Sequence, residues 1–176
     1  MSSGINSHLV FVLGGARSGK SRHAESLVAR HPPPWRYIAT ADAWDDEMRE
    51  RIAEHRARRD ARWNTSDAPV ELVAALADAR DSPVLIDCLT LWLTNLMLGG
   101  HDCDAICAAL ADALAVRRAP TVVVSNEVGL GIVPDNALAR RFRDAAGRMH
   151  QSVAAVSGTV VFMVAGLPMI VRGTSP

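Results

Sequence analysis

Lysine is all but missing from this chain: Lys20 stands alone among 19 basic residues, the rest being arginine. Because Gly19 precedes that one lysine, no N-K-x-D guanine-reading motif can occur, which speaks against a nucleotide switch built on it. Charge of one sign is lacking too. The 19 basic and 19 acidic residues cancel, so the global basic surplus that marks nucleic-acid or membrane partners is absent. Cysteine is sparse: Cys88, Cys103 and Cys107 are too few for a disulfide framework in 176 residues, and a reducing cytoplasm is the expected setting. His101, Cys103 and Cys107 offer three groups at an unusual spacing and are not expected to hold a structural metal. Long apolar runs are lacking as well. Residues 149–171 contain no Asp, Glu, Lys or Arg, but Ser157-Gly158, Gly166 and Pro168 interrupt them, so a helix end, a buried strand and a tail are expected rather than a membrane span. Met1 to Ser7 has no cationic region of the kind that opens a signal peptide.

What is present is organised around Gly14-Gly15-Ala16-Arg17-Ser18-Gly19-Lys20-Ser21, which fits G-x-x-x-x-G-K-[ST]. The apolar run Leu9 to Leu13 leads in and a helical segment, Lys20 to Arg30, leads out. Strand, loop and helix in that order build a phosphate cradle, because successive N–H groups point inward at a helix N-terminus whose dipole favours negative charge. Gly14 and Gly19 allow the tight backbone path, Lys20 is placed to reach the β- and γ-phosphates, and the Ser21 hydroxyl is placed to join a Mg²⁺ shell.

The remaining pattern alternates strand and helix. Strands are expected at Trp35–Thr40, Trp63–Ala68 (strand or loop), Val84–Asp87, Thr121–Ser125 and Thr159–Ala165, with helices at Ala43–Arg62 behind an Asp42 cap, Val70–Arg80, Leu89–Leu98, Asp104–Arg118 and from Asp135 or Asn136 to about Ser157. This predicts an α/β fold of the P-loop NTPase type: one domain over residues 1–176, a mostly parallel sheet and helices on both faces. Asp87 ends a strand, where the second Mg²⁺-associated acid of a P-loop fold sits, and could also cap the next helix. Glu127 follows another strand end, in the ligand crevice of an open α/β sheet. The flagged acids and the loop are expected at the sheet's carboxyl edge as one site.

The charged segment Ala43–Arg62 reads first as a solvated helix, with Glu47–Arg51 and Glu54–Arg58 at i,i+4. Yet Arg51, Arg58, Arg59 and Arg62 share a helical face with His55. Neighbouring positive charge lowers a histidine's pKa, and a neutral imidazole among arginines is equipped to attack a nucleotide phosphorus.

Together, Gly14 to Arg22, Tyr37-Ile38-Ala39-Thr40, Asp46-Glu47-Met48 with Arg51-Ile52 and His55, and the late run Asn126-Glu127-Val128-Gly129-Leu130-Gly131-Ile132-Val133-Pro134 continuing to Gly147-Arg148 resemble the bifunctional adenosylcobinamide kinase / adenosylcobinamide-phosphate guanylyltransferase family. The resemblance implies two reactions. A nucleoside triphosphate, ATP or GTP, phosphorylates the aminopropanol hydroxyl of adenosylcobinamide; GTP then passes GMP through a histidine to adenosylcobinamide phosphate, with loss of pyrophosphate. It puts the guanylylated histidine at His55 and nucleotide contacts at Gly14, Gly15, Ala16, Arg17, Ser18, Gly19, Lys20, Ser21, Ala39, Thr40, Ala41, Arg56, Ala57, Arg58, Arg59, Asp67 and Asp87. Lys20, Asp87 and Glu127 join His55 in catalysis, with Ser21 and Asp87 serving Mg²⁺, and a homotrimer is implied. The family commonly carries Glu, one methylene longer, where Asp67 and Asp87 stand, so their reach towards guanine N–H groups or the metal is expected to shift; it often has a hydroxyl at Ala41, where one small contact is expected to be missing. The competing readings are a P-loop kinase of another small alcohol and a nucleotide-binding switch without the transferase step.

Overall fold

The computed structural model describes residues 4–42, 46–57 and 59–174, apart from the side chains of Glu47, Met48, Arg51, Ile52, Glu54 and His55. In chain order the elements are β1 (Asn6–Gly14), α1 (Lys20–Val28), β2 (Trp35–Ala39), α2 (Asp46–Ala57), β3 (Trp63–Asp67), α3 (Leu72–Asp78), β4 (Val84–Asp87), α4 (Leu89–Leu98), α5 (Cys103–Val116), β5 (Thr121–Asn126), α6 (Ala137–Val156), β6 (Ser157–Val164) and β7 (Leu167–Arg172). The strands form one sheet in the order β3-β2-β4-β5-β1-β6-β7. All neighbours are parallel except β7, which runs antiparallel to β6.

Strands covered on both faces read as continuous apolar runs, and the central ones do: Val84-Leu85-Ile86 of β4 and Thr121 to Ser125 of β5 are wholly buried. Their period of two sorts them between two cores. Leu9, Phe11, Ile38, Ile86 and Val123 face α3, α4, α5 and α6; Val12, Tyr37, Leu85, Val124 and Val161 face α1. The larger core is anchored by α4, whose Trp92 is fully buried and donates its indole N–H to the Val70 carbonyl at 2.8 Å. Helix α6 contributes the stripe Ala145, Ala146, Met149, His150, Val153 and Val156, and the Asn136 side chain caps its start by accepting from the Ala139 N–H at 2.7 Å.

Three expectations need correction. Residues 167–172 are no tail but β7, joined to β6 by a hairpin in which Ala165 and Gly166 both have positive φ, 51° and 82°, the backbone a two-residue hairpin requires. Asp87 does not cap α4; Cys88 occupies the cap position without a side-chain bond. Helix α2 ends at Ala57 and does not run to Arg62. Every described α2 side chain is exposed, and from Arg59 onward the chain packs on the aromatic rings of β2. Arg59 lies over Tyr37 at 3.6 Å and Arg62 over Trp35 at 4.7 Å, contacts that attract a guanidinium to a ring face. Arg59 and Arg62 therefore lie outside the helix that carries His55. The salt bridges expected of Glu47, Arg51, Glu54 and Arg58, and part of the segment after Asp42, lie outside the described residues.

Candidate active site

Gly14 ends β1 and Lys20 begins α1, so the intervening five residues form the loop. A Cβ on Gly14 would sit 2.7 Å from the Met163 carbonyl oxygen and 2.8 Å from Ser18 Oγ, so only glycine fits. Gly19 occupies the N-cap of α1 in the left-handed region (φ 91°) and offers no side-chain cap. The first N–H groups of α1 thus keep their donors for a ligand, and an anion is what they suit. The β6–β7 turn braces the loop, with the Gly166 N–H donating to the Ser18 carbonyl at 3.1 Å.

Lys20 is buried, its Nζ donating to the Gly15 carbonyl at 2.6 Å and to Ser18 Oγ at 3.5 Å. Burial lowers its pKa, opposed by Cys88 and Asp87. Burial also pushes the Cys88 thiol up to about 11, and the other acidic neighbour of Lys20 is the Asp87 carboxylate. This carboxylate lies on the α1 face of the sheet, as period two from Leu85 requires. Its Oδ2 accepts the Tyr37 hydroxyl at 3.0 Å. Burial, then the Asp87 charge, raises the phenol pKa well above its ordinary value, so Tyr37 remains a donor. Over the same ring sits Arg59, whose Nε and Nη1 are buried without a hydrogen-bond partner.

At the end of β2, Thr40 is a joint. Its hydroxyl donates to the Cys88 carbonyl at 2.7 Å, its N–H to the Asp87 carbonyl at 3.2 Å, and its own carbonyl accepts from Asn95 Nδ2 at 2.8 Å. With all three groups engaged inside the protein, Thr40 ties β2, β4 and α4 together, while Ala39 and Ala41 stay partly exposed beside it.

The expected contacts do not all converge. Arg56 Nη2 bonds both oxygens of Asp67 at 2.8 Å, at the β3 end of the carboxyl edge. Four strand spacings of ~4.8 Å, about 19 Å, separate that edge strand from β1 and the loop. One group is thus Gly14 to Ser21 with Asp87 and Glu127; the other is Arg56, Ala57 and Asp67, with Tyr37 and Arg59 between. His55 belongs to α2, but its side chain, like Arg58, lies outside the described residues.

Glu127 follows β5, with its N–H donating to the Gly14 carbonyl at 3.0 Å, which pins it beside the loop. Its Oε1 accepts from the Gly129 N–H and its Oε2 lies 4.0 Å from His150 Nδ1. Asn126 alongside donates to Thr90 Oγ1 at 2.8 Å. Among the described residues no group of three or more His, Cys, Asp or Glu side chains is arranged to hold a metal ion, and no helix is long and apolar enough to cross a membrane.

The sequence matches the family described as cobinamide kinase / cobinamide phosphate guanyltransferase over residues 10–171. The chain belongs to this family. It is 49% identical over 166 residues to the bifunctional adenosylcobalamin biosynthesis protein CobP of Pseudomonas aeruginosa, covering 92% of this chain and 96% of that one. Against the bifunctional adenosylcobalamin biosynthesis protein CobU of Salmonella typhimurium it is 42% identical over 181 residues, covering 93% and 99%. By fold alone it is similar to a prototypical ATPase from the type III secretion system of pathogenic bacteria, with a TM-score of 0.55, 10% identity, and coverage of 88% of this chain and 50% of that one. The architecture is that of a P-loop NTPase fold.

For a cobinamide kinase / cobinamide phosphate guanyltransferase family member, the sequence pattern left three structural roles unseen. Tyr37 orients Asp87, Thr40 locks the strand ends, and Ser125 with His150 stands behind Glu127. Tyr37 is the only tyrosine, and its pairing with Asp87 spans 50 residues of sequence. His150 offered one signal: an imidazole in the otherwise apolar stripe of α6.

Proposed function

We propose that the chain carries out two consecutive transfers. ATP or GTP first phosphorylates the aminopropanol hydroxyl of adenosylcobinamide; GTP then passes GMP by way of His55 to adenosylcobinamide phosphate, giving adenosylcobinamide-GDP. The observation that carries the reading is the family match across residues 10–171 on a chain whose only lysine is seated in the phosphate loop.

In the first transfer the acceptor oxygen attacks the γ-phosphorus, the bond to the β-bridging oxygen breaks, and Glu127, pinned beside Gly14, takes the hydroxyl proton. Lys20 and the α1 N-terminus hold the phosphates in line and counter the charge that develops. In the second, a ring nitrogen of His55 attacks the α-phosphorus and pyrophosphate leaves. A phosphate oxygen of the corrinoid then attacks the guanylyl phosphorus and the P–N bond breaks. Dividing the displacement in two is the usual gain of nucleophilic catalysis. The proposed nucleotide contacts are Gly14 to Ser21, Ala39 to Ala41, Arg56 to Arg59, Asp67 and Asp87, with Arg56 holding Asp67 in place.

Ser21, in the first turn of α1, and Asp87, steadied by Tyr37, would hold Mg²⁺. One hydroxyl and one carboxylate suit an ion that binds few protein oxygens and keeps its other sites for water and phosphate. When bound it would neutralise charge on the β- and γ-phosphates. We further propose a single domain acting as a cytoplasmic homotrimer without nucleic-acid partners. Three free cysteines, balanced charge and the exposed Leu167, Met169 and Val171 of edge strand β7 support this.

Incubation with GTP and adenosylcobinamide tests the function. Both adenosylcobinamide phosphate and adenosylcobinamide-GDP are expected, with one pyrophosphate per GDP product; phosphate product alone, without pyrophosphate, would reduce the protein to a kinase.

A further inference from the structure

On the sheet face opposite α1, three polar side chains run in line from the core to the carboxyl edge. Ser125, fully buried on β5, lies 2.8 Å through its Oγ from Nε2 of His150 on α6. The His150 ring, 7% exposed and tilted against Phe11 at 5.8 Å, turns Nδ1 towards Glu127 Oε2 at 4.0 Å. On its far side the Glu127 carboxylate accepts the Gly129 N–H. A buried imidazole among Met149, Val153 and Ala146 is costly unless its nitrogens have work to do.

The charge on Glu127 decides the tautomer. With the Ser125 O–H donating to Nε2, the ring proton sits on Nδ1 and faces the carboxylate, an attraction. With Nε2–H donating instead, the Nδ1 lone pair would face the carboxylate, a repulsion. Burial also keeps the ring neutral, lowering its pKa although Glu127 pulls the other way. A shift of about 1 Å would bring Nδ1–H to hydrogen-bond distance of Oε2. A carboxylate offers about four acceptor sites; with Gly129 on one and His150 on a second after that shift, two are left for substrate.

We propose that His150, seated by Ser125, is a positioning residue that aims the Glu127 carboxylate at the acceptor hydroxyl in the phosphoryl-transfer half-reaction. The proton moves from the hydroxyl to Glu127 and no further, so the imidazole orients and does not relay. This rests on the assignment of Glu127 as the proton acceptor, which the test examines separately.

Three variants are compared for ATP-dependent phosphorylation of adenosylcobinamide, with thermal midpoints measured on the same samples. Glu127→Gln removes the base and is expected to lower kcat by roughly 100- to 10,000-fold. An asparagine amide reaches about where Nδ1 lies and a glutamine amide about where Nε2 lies. His150→Asn, which keeps a donor towards Glu127, is therefore expected within about threefold of the parent, whereas His150→Gln loses about ten- to a hundredfold in kcat with KM unchanged, the scale of a misplaced catalytic group. Full activity in Glu127→Gln overturns the Glu127 assignment. A large loss there, with His150→Asn and His150→Gln equal in kcat, overturns the positioning role alone. Should the His150 variants not fold, the ¹⁵N shifts of the imidazole in the unmodified protein decide: an Nδ1–H tautomer is expected, and an Nε2–H tautomer overturns the proposal.

Discussion

Replacing Tyr37 by Phe isolates one hydrogen bond on which the Asp87 carboxylate depends. Tyr37 is 4% exposed, its ring is packed edge-on against Trp63 at 6.1 Å and under the Arg59 guanidinium at 3.6 Å, and its hydroxyl meets Asp87 Oδ2 at 3.0 Å. Phenylalanine keeps both ring contacts and deletes only the donor. A hydrogen bond to a charged group contributes about 1.5–3 kcal/mol. At about 2–4 °C per kcal/mol for a chain of this size, the thermal midpoint should fall by roughly 3–12 °C. Urea unfolding of Tyr37→Phe, Asp87→Asn and the double variant closes a mutant cycle, with a coupling of at least ~1 kcal/mol expected. If Asp87 serves the metal, Tyr37→Phe also raises the Mg²⁺ concentration needed for half-maximal kinase activity, because the freed carboxylate is no longer aimed. A coupling under about 0.5 kcal/mol, within the range of independent sites, together with an unchanged Mg²⁺ requirement, would refute the reasoning.

Gly14→Ala should retain the fold but lose nucleotide affinity, since the new Cβ meets the Met163 backbone oxygen at 2.7 Å and the loop must move; titration calorimetry with ATP checks this, and unchanged affinity counts against a cradle built on that approach. Burial holds the folded His150 pKa below the ordinary 6.5, so the unfolded chain binds the proton more readily. The stability conferred by the neutral ring is then fully present above pH 6.5 and declines as pH falls below it. His150→Asn should show a shallower loss of urea midpoint from pH 6.5 downward than the parent, while His23, also lowered by burial and then by Arg30, titrates equally in both; parallel profiles would contradict the assignment.

Elements bounded by strong local signals were legible from sequence. Val84–Asp87 and Leu89–Leu98 lie where the apolar runs between Asp81-Ser82-Pro83 and Gly99-Gly100 place them. The hairpin to β7 was not, because Ala165-Gly166 lacks the Asn or Asp that usually announces positive φ and Pro168 reads as a break. Charge periodicity carried α2 too far, since a repeating Glu/Arg pattern says nothing of the rings that draw Arg59 and Arg62 away. For the site, Gly14, Gly19 and Lys20 announce themselves because their roles depend on neighbours in the chain. Tyr37, Thr40, Ser125 and His150 act through partners brought near only by strand order, 25 to 50 residues away, and no local pattern marks them.

The central claim is that a phosphate cradle and a nucleophilic histidine share one chain and one nucleotide. Incubation with [α-³²P]GTP, followed by isolation of the protein under mildly alkaline conditions, measures it most directly. The account predicts an acid-labile GMP adduct on His55, absent from His55→Ala and discharged by adenosylcobinamide phosphate, with the kinase step of His55→Ala largely intact. Label retained in His55→Ala, or no covalent label in the parent while adenosylcobinamide-GDP still accumulates, would contradict it.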